Sequence, residues 1–275
     1  MVDVKNYTLT LPLKRMVNDP TPVLGIDGNV LLQKLWHADT PEPEKMLDLI
    51  KEIQACCGAS DENTTVIFDH GRSAKRTALM AGYKGNRAPK TTDQLLFFAQ
   101  AKNLVKGLYN TLQADNTEGD DQAAFMARTV PDLNHILFLW TIDHDWLQLA
   151  CDLEGRRVIV IRQDFKTKEN RFYTEAWASE FLDFPARRWA ELAAFTGDPG
   201  DNVPAFFTDT QARALLKKYG SFKNALALSP LCRGKMVDLI KNYLATSLVM
   251  TAEEEEKWLA LIGFPTSGAG SKSAC

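Results

Sequence analysis

The sequence predicts an α/β fold in which a parallel β-sheet is flanked by helices. Short apolar runs typical of buried strands alternate with segments of helical periodicity in the N-terminal half of the chain. Three of these runs end at or just before an aspartate, namely Asp27, Asp69 and Asp143. Because ligands bind outside the carboxyl ends of the strands in such sheets, we expect the functional site at this edge.

The elements follow in order along the chain. Residues 1–20 have no strong period and lead into a turn signal, so we expect an N-terminal arm. The first strand covers residues 23–26, and Gly28 and Asn29 then turn the chain into a helix. Further strands are predicted at residues 65–68 and 136–140, and further helices around residues 43–56, 73–82 and 92–113 and from residues 119 and 145.

From about residue 175 the pattern is mostly helical. We therefore divide the chain into an α/β core at residues 21–174, a helical region at residues 175–264 and a low-complexity tail at residues 265–275. The composition of the tail predicts disorder.

The composition favours a cytoplasmic protein with no membrane partner. The N-terminus has no apolar run after a basic stretch, and no segment of the 275 residues approaches the roughly 18 apolar residues that a membrane span needs. The five cysteines are odd in number and lack a CxxC pair, which argues against a disulfide framework or a zinc site.

The charges are sorted by sign along the chain. The net charge of −3 argues against a protein that coats nucleic acid with its whole surface. Residues 72–92 nevertheless carry six basic residues and no acid, and residues 213–241 carry seven basic residues and one acid. The first stretch, with Tyr83 among its lysines and arginines, suits the binding of a single strand, although a solvated basic loop is the simpler interpretation.

The acids form short clusters that could have ordinary structural roles. Glu118 and Asp121 share a helix face and could offset the helix dipole, and Asp145 could cap a helix. Nine acids, however, fall at positions that a parallel sheet would bring together, where unbalanced carboxylates would repel. They are Asp27, Asp69, Glu118, Asp120, Asp121, Asp143, Asp145, Asp198 and Asp201.

Such a cluster needs cations to be stable. Carboxylate oxygens without cysteine or histidine ligands suit a hard ion, Mg²⁺ or Mn²⁺. Two such ions about 4 Å apart can activate a water and neutralise a phosphate, which fits the hydrolysis of phosphate esters.

At this point the motifs resemble a known family. The order and spacing of six motifs are similar to those of bacteriophage 5′→3′ exonucleases, bacterial polymerase I 5′-nuclease domains and flap endonucleases, from about Val23 to about Leu226. The motifs are LGIDGNVLL, VIFD, KRTALMAGYKGNRAPKTTDQL, TEGDDQAAFMA, TIDHDWLQL and FTGDPGDNVP. The resemblance implies a PIN-like nuclease core, with a helical arch at residues 72–115, followed by a DNA-binding helical region.

The resemblance also implies the roles of individual residues. It assigns two Mg²⁺ ions, the first to Asp27, Asp69, Glu118, Asp120 and Asp121, and the second to Asp143, Asp145, Asp198 and Asp201. Lys84 and Arg87 match the arch residues that contact the scissile phosphate. Tyr83 would stack on a terminal base, and Arg76 matches the arch arginine.

The second basic stretch resembles the helix-two-turn-helix that grips duplex DNA, although a surface amphipathic helix would give the same pattern. Its candidate DNA contacts are Lys217, Lys218 and Lys223. Residues 205–209 replace the glycine-rich turn of the family, so we expect Phe206 and Phe207 to keep a phosphate away. Ile142 and His144 replace the glycine and lysine of the family's TGDKD motif.

The implied function is a monomeric, metal-dependent 5′→3′ exonuclease or 5′-flap endonuclease that acts on DNA in replication or repair. A PIN-type or RNase H-like ribonuclease would use the same acids, so RNA or an RNA–DNA hybrid stays open as substrate. A DNA-binding protein without activity is the alternative from another class, but such proteins usually lose ligands first, and all nine acids are present.

Overall fold

The computed structural model describes residues 20–153, 156–164 and 166–264. The predicted arm lies outside the described residues except for Pro20, and the predicted tail lies entirely outside them. The described residues form two compact units. The first comprises the residues up to Arg72 together with Pro89–Arg187, and the second comprises Ser73–Ala88 together with the residues from Arg188 onward.

The first unit is built on a mostly parallel sheet, which confirms the predicted fold class. Its described strands are β1 (Thr21–Asp27), β2 (Thr64–Ile67), β3 (Asn110–Leu112), β4 (His135–Thr141), β5 (Cys151–Leu153), β6 (Arg156–Gln163) and β7 (Asn170–Tyr173). The strand order is β3-β2-β1-β4-β6-β5, and β7 also pairs with β6. The pairings from β3 to β6 along this order are parallel, whereas β5 and β7 run antiparallel to β6.

Helices surround the sheet and also build the second unit. Their bounds are α1 (Gly28–Trp36), α2 (Lys45–Cys57), α3 (Ala74–Leu79), α4 (Thr92–Lys106), α5 (Gly119–Thr129), α6 (Glu175–Leu182), α7 (Trp189–Thr196), α8 (Asp209–Tyr219), α9 (Phe222–Leu228), α10 (Met236–Thr246) and α11 (Ala252–Leu261). Of these, α3 and α7 to α11 belong to the second unit.

The core of the first unit joins the strands to three helices. Leu24 of β1 and Val66 of β2 are fully buried in one cluster with Leu31 of α1, Ile50 of α2 and Phe97 of α4. Burial of this apolar surface, at about 25 cal/mol per Å², is the main force that holds the helices against the sheet. The helices cover this face of the sheet, and polar side chains lie at the carboxyl ends of the strands.

The turn from β1 to α1 is tight because no loop residue separates them. Asp27 ends β1, and its side chain accepts a hydrogen bond from the Val30 amide at 3.1 Å, so that it also caps α1. Gly28 then passes close to the next strand. A Cβ atom at Gly28 would lie 2.4 Å from Cε1 of Phe68, so a larger residue would push β1 and the Phe68 ring apart.

Several elements differ from the sequence-based expectations. The predicted helix at 92–113 ends at Lys106, because residues 110–112 pair with β2 instead. The predicted helix at Asp145 is a short 3-10 turn, Asp145–Leu149. The antiparallel strands β5 and β7 and the parallel strand β6 were not predicted; the apolar run Val158–Ile161 within β6 carried the signal.

The second unit has an aromatic core. The ring of Phe195 on α7 lies edge-on to Phe207 and Phe222, with centroid distances of 5.4 and 5.1 Å. Phe222 also contacts Tyr243 of α10 at 4.8 Å, and Tyr243 contacts Trp258 of α11 at 5.5 Å. Such pairs each add about 0.5 to 1.5 kcal/mol beyond area burial. They tie four helices together.

The observed units differ from the expected domain limits in two places. Residues 73–88, expected within the α/β core, group with the C-terminal helices, and the first unit extends to Arg187 rather than to residue 174. Within the described ranges, no helix is both long enough and apolar enough to cross a bilayer.

Candidate active site

Three neighbouring parallel strands deliver polar side chains to one edge of the sheet. In the sheet β1 lies between β2 and β4, and Asp27 pairs in register with Ile67 near the end of β2. Asp69 follows β2 by two residues, and Thr141 ends β4 just before Asp143. The carboxylates of these strand ends therefore lie on the same side of the first unit, as the sequence predicts.

Asp27 is a strongly perturbed carboxyl group of this edge. It is buried, with 8% of its surface exposed, and its pKa is raised to about 8. Burial is the largest cause, followed by the negative charge of Asp120, and the charge of Asp69 adds to it. Hydrogen bonds from Val30 and Thr141 lower the pKa but do not cancel these effects. The native fold thus disfavours the charged form of Asp27.

The start of α5 meets the end of β2. The Gly119 amide donates a hydrogen bond to Oδ1 of Asp69 at 2.6 Å, and a Cβ atom at Gly119 would lie 3.1 Å from that oxygen. Glu118 occupies the N-cap position of α5 and is 2% exposed. Oδ1 of Asp120 accepts a hydrogen bond from Nε1 of Trp146 at 2.7 Å. These contacts fix the α5 acids beside Asp69.

Asp121 lies in the first turn of α5 and is partly exposed. It shares this turn with Asp120, so the α5 acids enter at the positive end of the helix dipole.

The loop after β4 forms a second group of ligand atoms. Oδ1 of Asp143 accepts a hydrogen bond from the Asp145 amide at 2.9 Å. The His144 ring lies between the two carboxylates, with Nδ1 3.8 Å from Oδ1 of Asp143 and Nε2 3.4 Å from Oδ1 of Asp145. One ligand atom from each of the three residues lies within 4.8 Å of the others. Histidine at this position therefore adds a nitrogen donor to the two carboxylates.

Two functional residues of this edge were missed in the sequence analysis, although both lie in the TIDHDWLQL motif. Thr141 contacts Asp27 and the Asp143 amide through its hydroxyl, at 3.0 Å each. Trp146 is fully buried and donates to Asp120. A threonine at a strand end and an apolar residue in a turn give no chemical signal in the sequence, so only the three-dimensional contacts identify them.

The donor set fits divalent cations that prefer oxygen ligands. The carboxylates of Asp120 and Asp69 both act on Asp27, and the Asp143 to Asp145 loop offers a second set of ligand atoms. Neither set contains a cysteine, and oxygen-rich sets of this kind suit Mg²⁺ or Mn²⁺.

The second unit contains the remaining predicted residues. Asp198 and Asp201 lie in one turn, and Lys84 and Arg87 lie in the stretch grouped with it. The Lys84 residue is 7% exposed, and Arg87 is more than half exposed. Both basic side chains form ion pairs with Asp201.

Two of the predicted DNA-contact residues, Tyr83 and Arg76, are buried in the structure. Both are 2% exposed, so in this conformation the Tyr83 ring has no face open to a DNA base and Arg76 is not part of a solvent-facing surface. The Tyr83 hydroxyl instead donates a hydrogen bond to Oδ2 of Asp201 at 3.0 Å. Arg76 lies on α3, where it is one of the largest fully buried side chains.

The predicted duplex-binding lysines are exposed. Lys217 and Lys218 lie in the last turn of α8, and Lys223 lies on α9 after a turn at Gly220. Phe207, which was expected to keep a phosphate away, is 9% exposed, and its ring packs against Phe195. Burial of this apolar ring in the aromatic core is more favourable than its exposure to water.

Comparisons with known proteins place these features in context. Residues 22–182 match the family model described as 5′-3′ exonuclease, N-terminal resolvase-like domain. The chain is 29% identical over 229 residues to the thermostable DNA polymerase I of Thermus aquaticus, an alignment that covers 78% of this chain and 26% of the polymerase. It is 26% identical over 190 residues to the flap endonuclease of Escherichia phage T5, covering 65% of this chain and 62% of the relative.

The chain thus spans about a quarter of the length of the polymerase that it matches. Among solved structures, the T5 D15 protein co-crystallised with metal ions has a TM-score of 0.72 at 20% identity, covering 88% of this chain and 98% of that one. At this identity the likeness supports the fold.

Proposed function

Because the chain belongs to the family of 5′-3′ exonuclease N-terminal, resolvase-like domains, we propose that it hydrolyses DNA phosphodiester bonds at 5′ ends and 5′ flaps with the help of divalent metal ions. The main observation behind this proposal is the electrostatic repulsion at Asp27. Burial and the negative charges of Asp120 and Asp69 raise the pKa of Asp27 to about 8. A cation bound beside these carboxylates would lower the pKa of Asp27 and hold it ionised at neutral pH.

We assign the ligands by unit. In the first unit, one Mg²⁺ ion would be held by Asp27, Asp69, Glu118, Asp120 and Asp121. A second would be held by Asp143 and Asp145, with His144 as a neighbouring donor. Asp198 and Asp201 stay candidates from the family motif. Mn²⁺ would substitute for Mg²⁺, because both prefer oxygen ligands.

The bound ions would lower the pKa of a water and offset negative charge on the phosphate. The chain's own residues prepare this chemistry. Thr141 and Val30 orient the two oxygens of Asp27, the Gly119 amide orients Asp69, and Trp146 orients Asp120. Ligands held this way need little rearrangement when the cation binds.

Lys84 and Arg87 are proposed to contact the phosphate that is cleaved. A lysine and an arginine both stay positively charged at neutral pH and donate to phosphate oxygens, and arginine can do so with two parallel bonds. Charge that grows on a phosphate during hydrolysis makes such contacts stronger in the transition state than in the bound substrate.

The deciding experiment uses a DNA duplex with a 5′ flap, labelled separately at its two ends. With Mg²⁺ the wild-type protein should release short 5′ products, and with excess EDTA it should release none. Ca²⁺ should support binding without cleavage, since its looser coordination misplaces the attacking water. Cleavage that persists in EDTA would reject the proposal.

Matched variants make the test specific. Asp69→Asn should abolish turnover, whereas Asp132→Asn, which changes an exposed carboxylate paired with His135 outside the cluster, should leave it unchanged. The same flap made of RNA, and an RNA–DNA hybrid, should be cleaved more slowly than DNA. Faster cleavage of single-stranded RNA would instead identify a ribonuclease.

A further inference from the structure

The peptide unit between Ile142 and Asp143 is held at both of its polar atoms. Its amide, that of Asp143, donates to the Thr141 hydroxyl at 3.0 Å. Its carbonyl, that of Ile142, accepts a hydrogen bond from Nε of Arg162 at 3.0 Å. Because the peptide group is planar, hydrogen bonds on both of its sides fix its orientation. This orientation sets the direction in which the chain enters the loop that carries Asp143 and Asp145.

Arg162 reaches this carbonyl from the neighbouring strand. It lies in β6, where it is the register partner of Thr141 at the end of β4. Its side chain bonds to the next residue along, Ile142, which is the first residue of the loop. A guanidinium stays charged at neutral pH, and a hydrogen bond from a charged donor is stronger than one between neutral groups. The contact is therefore stronger than an ordinary backbone hydrogen bond.

An aromatic ring lies against the guanidinium. Cζ of Arg162 is 5.4 Å from the centroid of the Phe181 ring. That ring packs edge-on against Tyr173 of β7, with a centroid distance of 5.3 Å. Phe181 lies on α6 and is 49% exposed, so its ring offers a cation–π contact in addition to its packing. The guanidinium is thus held by a second element besides the loop.

The charge of Arg162 is not directed at a carboxylate. Two other arginines of the same hairpin form salt bridges, since Arg157 of β6 pairs with Asp152 and Arg171 of β7 pairs with Asp164. For Arg162, no salt bridge is found among the residues that the structure describes. Its guanidinium instead contacts a backbone carbonyl and an aromatic ring, which distinguishes it chemically from its two neighbours.

We propose that Arg162 is a positioning residue that orients Asp143 and Asp145 toward a divalent cation. It does so by fixing the peptide between Ile142 and Asp143, while Phe181 holds its guanidinium. The proposal rests on the proposed nuclease function, in which these two aspartates bind the second ion. Loss of a residue that orients metal ligands typically lowers metal affinity or activity about 10- to 100-fold. Removal of Arg162 should therefore weaken the second ion site and leave the first unchanged.

The charge of Arg162 alone predicts the opposite effect. A positive side chain near a cation site repels the cation, so its removal should strengthen metal binding if Arg162 acted only through its charge. Loss of positioning should weaken metal binding instead. The direction of the change in Mn²⁺ affinity therefore separates the two roles. Arg162→Lys separates them a second time, because it keeps the charge but loses the planar Nε donor.

The first test measures Mn²⁺ binding by electron paramagnetic resonance without DNA. Asp69→Asn serves as the background, because it removes a proposed ligand of the first site. In this background, Arg162→Ala and Arg162→Lys should each lower the affinity for the remaining ion about tenfold. Arg157→Ala, which removes a salt-bridged arginine from the same strand, is the matched control and should leave this affinity unchanged. Unchanged or tighter binding in Arg162→Ala would overturn the proposal.

The second test asks whether Arg162 acts through the second site. In an Asp143→Asn background, Arg162→Ala should change Mn²⁺ affinity by less than about twofold, because the ligand through which it acts is already lost. Phe181→Leu, which keeps an apolar side chain without an aromatic face, should reproduce part of the loss in the Asp69→Asn background. A tenfold loss from Arg162→Ala in the Asp143→Asn background would contradict the proposal.

A third measurement needs neither metal nor cleavage. Hydrogen exchange of the Asp143 amide, followed by NMR in EDTA, should be about tenfold faster in Arg162→Ala than in the wild type, whereas the Val160 amide within β6 should not change. Unchanged exchange at Asp143, or equal acceleration of both amides through a general loss of structure, would overturn this inference alone. A wild-type protein that fails to cleave DNA with Mg²⁺ would instead overturn the proposed function.

Discussion

The hydroxyl of Thr141 donates a hydrogen bond to Oδ2 of Asp27 at 3.0 Å. The Thr141 hydroxyl oxygen in turn accepts a hydrogen bond from the amide of Asp143 at 3.0 Å. A single hydroxyl at the end of β4 thereby connects the carboxylate of β1 to the loop that carries the second group of ligands. Because both partners depend on this one atom, its removal should disturb both groups.

Thr141→Val keeps the shape of the side chain but removes the hydroxyl. We expect the free energy of unfolding to fall by about 1 to 3 kcal/mol, since buried polar partners lose their hydrogen bonds. The pKa of Asp27 should rise further, because the Thr141 hydrogen bond lowers it. Denaturant unfolding measures the first effect, and Thr141→Ser is the control that should retain stability. An unchanged Thr141→Val protein would show that the hydroxyl has no such role.

The stability of the metal-free protein should depend on pH through Asp27. In the unfolded chain an aspartate has a pKa near 3.9, whereas the native structure raises the pKa of Asp27 to about 8. The native state therefore binds the proton more tightly, so this contribution is complete below about pH 4 and is lost as the pH rises toward about 8.

Urea unfolding in EDTA between pH 5 and pH 9 tests this dependence. The decline with pH should be weaker in Asp27→Asn, which is neutral at every pH in this range. Asp27→Asn should also be more stable than the wild type at the upper end. An identical pH dependence in both proteins would contradict the assigned burial of charge.

Divalent ions should stabilise the folded protein. At a free Mg²⁺ concentration about 100 times the Kd, we expect about 2.7 kcal/mol of added stability, because the ion binds the native carboxylates in preference to the unfolded chain. Thermal unfolding measures this as a rise in Tm. The rise should be reduced in Asp69→Asn and retained in Asp132→Asn. A Tm that does not change when Mg²⁺ is added would argue against a preformed cation site.

Duplex binding should depend on charge at the exposed lysines of α8. Double substitution of Lys217 and Lys218 by alanine should reduce the magnitude of the slope of log K against the logarithm of the salt concentration. The expected reduction is about 1.8, which is about 0.9 for each positive charge removed. At constant ionic strength, exchange of Na⁺ for K⁺ should have no effect. Lys257→Ala, an exposed lysine paired with Glu253, serves as the control. A clear preference for K⁺ would show a monovalent ion site in the turn before α8.

The close approach at Gly28 should tolerate no side chain. Gly28→Ala places a methyl group 2.4 Å from the Phe68 ring and should cost about 1 to 3 kcal/mol through overpacking. At Gly107 the nearest atom to an added Cβ is 3.5 Å away, so Gly107→Ala should change stability little. Equal stability of both variants would mean that β2 shifts without strain.

The sequence predicted the strands that end near the candidate site residues, and it missed the short strands at the edges of the sheet. β1, β2 and β4 are apolar runs that end near aspartates, so period and acid position together identified them. β3 has three residues and β5 and β7 pair only with β6, and such short strands arise from tertiary contacts rather than from local pattern.

At the site, the sequence showed residue types but not their surroundings. The motif containing Tyr83 gave no sign of its burial, because a tyrosine beside lysines suits both a stacking surface and a buried hydrogen-bonding role. Phe207 likewise lies next to polar residues, and only the position of Phe195 shows that its ring belongs to the core. The burial of Tyr83 and of Phe207 depends on contacts between distant parts of the chain, which the local sequence does not show.

The strands that were not predicted have a consequence for self-association. Parallel sheets with long free edges offer rows of unpaired amides and carbonyls, on which other chains can add strands and aggregate. Here β3 presents only three residues at one edge, and β5 and β7, of three and four residues, divide the outer side of β6 between them. Each edge is therefore too short to template a foreign strand, and the long parallel strands β1 and β4 stay inside the sheet.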